Sequence, residues 1–168
     1  MKQMNHASHH PALQQLHKNA CSWVGHWGAG AVDFLAGQTF QCPENGELES
    51  IDVFVADVPL PGKLVLTLHQ FNNENKTWGP VISTSEIDVE SKNREHWMQF
   101  SLQPVQVQKN ITYGFRLNSP DGLVAVGEAV WTHKNAFAYG VEWKKKNTDQ
   151  RDFFFCYFSL AFKAALRA

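Results

Sequence analysis

The chain has 168 residues, of which 43% are hydrophobic and 18% charged, and its formal net charge is -1 at pH 7 with histidine neutral. That length suits one domain able to bury roughly two-thirds of its unfolded surface. The charge balance excludes a nucleic-acid footprint, because the basic run Lys144-Lys145-Lys146 is only three residues long.

No apolar run reaches the ~18 residues that a membrane-spanning helix needs. The N-terminus lacks the positive-then-apolar pattern of a signal peptide, so either the protein stays in the cytoplasm, the reading the initial Met favours, or this is a mature form with its leader removed. Cys21, Cys42 and Cys156 are too few and too scattered for a zinc cage or a disulfide framework. Cys42 and Cys156 fall in strands that could be neighbours, and reduced, buried thiols are the expected state.

Residues 1–9 are polar and His-rich and read as a loose end. Ser8 can cap a helix and Pro11 suits its first turn, while Leu13, Leu16, Ala20 and Val24 follow at spacings of three and four. This predicts a short amphipathic helix over about residues 11–21, within an N-terminal extension (1–36) packed on the main domain (37–168). A protein partner or second copy could dock through that helix. Gly25, Gly28 and Gly30 then break the pattern without forming a phosphate loop, since no Gly-Lys-Ser/Thr follows them.

From Gly37 the chain becomes a meander. Strands are predicted at 38–41, 48–56 and 63–71, separated by the turns Pro43-Glu44-Asn45-Gly46 and Pro59-Leu60-Pro61-Gly62. Further strands follow at 81–89 and 97–102, the latter with Val105 and Val107 as an extension, and then at 111–117, where Ile111, Tyr113, Phe115 and Leu117 alternate with polar or small residues. The turn Ser119-Pro120-Asp121-Gly122 leads to a strand at 123–127 and a short one near 137–141. The segment at 152–160 is aromatic on both faces and is expected to be central and doubly buried. Eight or nine strands with no helix between them predict an all-β, antiparallel two-sheet sandwich closed as a jelly roll.

Chemistry is hard to find in these residues. His6, His9, His10 and His17 cluster near the N-terminus but read as surface decoration, and no His-x-His pair of the cupin type occurs. His69 reads as an exposed or satisfied strand residue. There is no Gly-x-Ser-x-Gly elbow. Asp121, Glu128, Glu142, Asp149 and Asp152 are the acids a glycosidase could use, yet their density is that of an ordinary solvated surface. No catalytic residue, metal or cofactor is therefore expected. An enzyme remains possible only if distant acids and histidines converge.

The tryptophans point to binding. Trp23, Trp27 and Trp97 sit beside apolar stripes and read as core, whereas Trp78, Trp131 and Trp143 sit in or next to polar loops. A loop tryptophan exposes apolar surface unless it packs down or stacks on something. Trp131 with His133, Asn135 and Tyr139 combines a stacking ring with hydrogen-bonding groups, the mixture a saccharide uses, and Trp78 and Trp143 are second candidates.

Three features together carry a resemblance: Gln38-Thr39-Phe40 followed by Pro43-x-x-Gly46 and a long strand, then Phe137-Ala138-Tyr139-Gly140, and a closing strand begun by Asp152 and followed by Phe155. This order resembles bacterial jelly-roll modules of the carbohydrate-binding or galactose-binding-like type, over about residues 37–158. The resemblance implies that the Gln-x-Phe and Asp-x-x-Phe strands are framework. It also implies a non-catalytic module that binds saccharide through loop aromatics; the alternative is a structural or protein-interaction module.

Overall fold

The computed structural model describes residues 11–28, 32–146, 153–155 and 157–167, and their regular structure is β-strand apart from one 3-10 turn at Ser91–Asn93. The strands are β1 (Pro11–Gln15), β2 (Ala20–Trp27), β3 (Val32–Gln41), β4 (Gly46–Leu60), β5 (Gly62–Asn72), β6 (Thr77–Val89) and β7 (His96–Val107). They continue with β8 (Thr112–Asn118), β9 (Leu123–Val130), β10 (Glu142–Lys146), β11 (Phe153–Phe155), β12 (Phe158–Leu160) and β13 (Phe162–Arg167).

All belong to one hydrogen-bonded sheet whose main path runs β1-β13-β4-β9-β2-β3-β8-β5-β6. Strand β7 lies on the other edge of β4, because β7 and β13 both pair with the same stretch of it. Strands β10 and β12 attach to β3 and β9, and β11 attaches to β10.

The two-sheet jelly-roll sandwich, and the resemblance that implied it, are therefore corrected: a single sheet curls into a half-barrel. The aromatic core shows how far it curls. Phe162 of β13 and Phe115 of β8 stand five strands apart along the sheet path, a spread of about 24 Å in a flat sheet. Their ring centroids are 5.6 Å apart, and Phe162 also meets Phe40 at 6.0 Å and Phe137 at 5.4 Å. Alternation supplies the rest of this inner face, with Leu64, Leu66 and Leu68 of β5 and Tyr113, Phe115 and Leu117 of β8 all buried in one cluster.

The predicted N-terminal helix is absent. Its residues form β1, paired with β13, and the start of β2, paired with β9. In β1, Leu13 and Gln15 are buried while Leu16, which a helix would place on the face of Leu13, is 43% exposed. The Gln15 amide donates to the carbonyls of His17 and Leu160 at 2.9 and 3.2 Å. Helix-favouring composition thus yields to the open edge of β13, as weak propensities do when tertiary pairing is on offer. The helix-mediated partner contact falls with the helix.

Two smaller corrections concern the end of the chain. The segment predicted at 152–160 does not form one central strand; β11 and β12 are separate three-residue strands beside the main path. Residues 137–141 are not a strand, although Thr39 and Gln41 donate backbone bonds to Val141 and Tyr139 at 2.9 and 2.8 Å. The Cys42–Cys156 neighbourhood lies outside the described residues at Cys156; Cys42 is a buried free thiol, and burial pushes it up to about 11. His6, His9, His10, Asp149 and Asp152 also lie outside them.

Candidate functional site

The second face of the sheet carries an aromatic and polar cluster of its own, most of it buried. Alternation sends Thr67, His69 and Phe71 of β5, Gly114 and Arg116 of β8, and Gly37, Thr39 and Gln41 of β3 away from the aromatic core. Register then aligns them in rows, because Thr67 opposes Arg116, Arg116 opposes Gly37, and Gly37 opposes Trp143 of β10.

The two glycines make a shallow bed across these strands. A Cβ at Gly114 would come within 2.6 Å of Trp78 Cζ3, and one at Gly37 within 3.3 Å of its Cη2. Trp78, carried in from β6, lies on that bed with the Arg116 guanidinium 4.3 Å from its ring centre. Phe71 meets Trp78 at 5.2 Å and Trp143 at 5.4 Å, and the two indoles stand edge to face at 6.0 Å. Such pairs add about 0.5–1.5 kcal/mol each beyond area burial, so this is a rigid aromatic wall. His69 backs it, at 5.5 Å from Trp78. Its ring nitrogens pair with Thr67 Oγ1 and the Gly79 carbonyl, both at 2.8 Å, and burial lowers its affinity for a second proton. His69 is thus a satisfied strand residue.

Against this wall opens a cleft of about 250 Å³. Phe71 and Trp143 form its apolar side, and Thr39, Gln41, Asn73, Thr112 and Lys76 its polar side, with the loop at 138–141 closing over it. That loop sits tight on β3 because position 140 has no side chain: a Cβ there would lie 1.8 Å from the Thr39 carbonyl oxygen. Thr39 Oγ1 also accepts the Val141 N–H at 3.0 Å. The result presents Tyr139, 58% exposed, at the mouth of the cleft. Asn73 donates to Thr112 Oγ1 at 2.6 Å, which braces the polar side.

The predicted binding residues divide accordingly. Tyr139 and Trp143 line the cleft and Trp78 supports it, although Trp143 is a buried strand residue and not the loop residue its polar neighbours suggested. Trp131, His133 and Asn135 do not line it. Trp131 sits at the end of β9, its ring 5.9 Å from His17 and 5.1 Å from Lys134 Nζ, and it donates its backbone N–H to Tyr157. Of the four residues on which a saccharide contact was expected, Tyr139 is the one that lines this cleft. Trp27, read as core, is 52% exposed.

Two residues read as surface acids are buried. Glu142 is fully buried and Glu128 nearly so, on the inner side of β10 and β9. A period-two reading of Glu142-Trp143-Lys144 would have shown that an outward-facing Trp143 forces its two charged neighbours inward. Among the described residues no cluster of three His, Cys, Asp or Glu side chains could hold a metal ion. No family model matches the chain, and no curated protein matches it in sequence.

Proposed function

We propose that the protein binds a small molecule in the cleft between Phe71, Trp143 and Tyr139, and that it does so without transforming it. One observation carries this reading: three aromatic side chains from distant parts of the chain line one cleft together with hydroxyl, amide and ammonium groups. Its described lining holds no carboxylate, imidazole or thiol, and its titratable groups are the Lys76 amine and the Tyr139 phenol, a lining suited to contacts more than to acid-base or nucleophilic chemistry. The one charged lining group among the described residues is the Lys76 ammonium, which suits a neutral or anionic ligand. A volume of about 250 Å³ suits a single ring with a flat apolar face and a hydrogen-bonding edge.

A ligand-detected NMR screen of aromatic and alicyclic carboxylates, each beside its neutral amide, tests the proposal. Tyr139 is the informative position, because its exposed ring can be removed without opening the core. For any hit, Tyr139→Ala is expected to weaken binding by about 1–2 kcal/mol, roughly five- to thirtyfold in Kd. Hits that bind Tyr139→Ala and wild type equally would place binding elsewhere and overturn the assignment.

A further inference from the structure

Strand β10 has two faces with opposite chemistry. Trp143 points into the aromatic wall, while Glu142 and Lys144 point inward toward β9 and β2. Among the described residues, hydrogen-bonded ladders join β10 to β3 and β11, and none joins it to β9. The gap to β9 is spanned by charge: Lys144 Nζ lies 2.8 Å from Glu128 Oε2 and 3.7 Å from Glu142 Oε1.

The side chains of Glu142 and Glu128 are 0% and 4% exposed. Among the described residues neither oxygen of Glu142 has a donor in good hydrogen-bonding geometry, although Glu128 and the Ser22 hydroxyl lie close enough to interact with it. Besides Lys144 and Glu128, its described polar neighbours include Gln38 and Ser22. Gln38, its cross-strand neighbour on β3, donates to the Thr39 carbonyl, and its own oxygen accepts from Leu160 N–H and Ser159 Oγ. From β2, Ser22 faces the group, and the Cys21 thiol lies within the field of Glu128, Lys144 and, from β4, Asp57. Two carboxylates thus share one ammonium among the described residues, and a proton on Glu142 is what brings the cluster to neutrality.

We propose that Glu142, Glu128 and Lys144 form a proton-dependent latch that ties β10 to β9, closed while Glu142 carries a proton and loosened when it ionises, so that pH sets how firmly the Trp143 wall is held. The direction follows from burial and from Glu128 beside it, which together hold the Glu142 carboxyl well above its usual value against the pull of Lys144. The latch does not depend on whether the cleft takes a ligand.

Amide exchange of residues 142–146 in the full chain, corrected for base catalysis and followed from about pH 5 to about pH 9, the span in which buried carboxyls titrate, tests it. Wild type is expected to lose protection by up to about tenfold per pH unit, the limit for one proton, and Glu142→Gln to show no such slope. A flat wild-type profile, or an unchanged slope in Glu142→Gln, overturns the proposal. If Glu142→Gln does not fold, Lys144→Met is expected to move the wild-type transition to higher pH, and an unmoved midpoint overturns it. Infrared spectra of wild type at neutral pH supply an independent readout: a buried protonated carboxylic acid must absorb there, and its absence overturns the latch.

Discussion

At Gly114 the cost of a single methyl group is legible from geometry. The built Cβ would lie 2.6 Å from Cζ3 and 2.9 Å from Cη2 of Trp78, whose ring is hemmed by Phe71, His69, Trp143 and Arg116. The indole cannot slide without breaking those contacts, so Gly114→Ala is expected to cost about 1–3 kcal/mol, the range for overpacking. Urea denaturation measures it, and a loss near zero would mean that Trp78 is not seated on the glycine bed. Glu142 poses the opposite problem, a group whose burial disfavours its own charge. Its folded-state carboxyl is raised above the ordinary 4.5, so the unfolded chain ionises first as pH climbs. Stability from this residue is therefore greatest below that ordinary value and falls with rising pH until the folded group ionises too. Glu142→Gln should gain on wild type progressively over that window in parallel denaturation curves. Curves that keep a constant separation would place the titration elsewhere.

Strand β1 offers the sharpest test at the scale of an element. A helix over residues 11–21 would place Leu13 and Leu16 on one face, three residues apart, and make them comparably important. The strand instead buries Leu13 in the core and leaves Leu16 exposed. Leu13→Ala is expected to cost about 2–5 kcal/mol and Leu16→Ala no more than about 0.5 kcal/mol. Equal losses in thermal or urea unfolding would restore the helix. The same element shows why the sequence misled: Pro11-Ala12-Leu13-Gln14-Gln15 has spacing compatible with either period over so short a run. Its choice is made by the unpaired edge of β13, about 150 residues away in the chain. Elsewhere the period was unambiguous. The stretch Ile111-Thr112-Tyr113-Gly114-Phe115-Arg116-Leu117 alternates cleanly, and β8 buries Tyr113, Phe115 and Leu117 as that alternation requires.

For the molecule as a whole, connectivity governs behaviour. Both β1 and β4 pair with β13, β2 pairs with β9, and β10 pairs with β3, so the two ends of the chain must meet before the sheet is complete. Such non-local pairing carries a large loop-closure cost. Refolding is therefore expected on the millisecond-to-second scale of β-rich domains and not in microseconds. Stopped-flow dilution from denaturant, followed by tryptophan fluorescence, checks this; a dominant microsecond phase recovering the full native signal would contradict the observed topology. Curling also brings Phe162 onto Phe115 and Phe40, so the core forms only when the sheet bends back on itself.

By itself the sequence determined the all-β class and most strand positions from β3 to β9, because alternation and Pro-Gly punctuation are local signals. The meander expected through β3, β4 and β5 does not form, since among the described residues β4 pairs with neither β3 nor β5 and its strand runs on through Pro59 and Leu60. The sequence also marked Tyr139, Trp143 and Trp78 as aromatics of interest. Only the tertiary structure decided that the strands form one curled sheet and not two, since pairing partners lie far apart in the chain and local pattern does not encode them. The same holds at the cleft and beneath it. Register set Trp143 beside Phe71 and left Trp131 elsewhere, and it turned Glu128 and Glu142 from apparent surface acids into a buried pair facing one lysine.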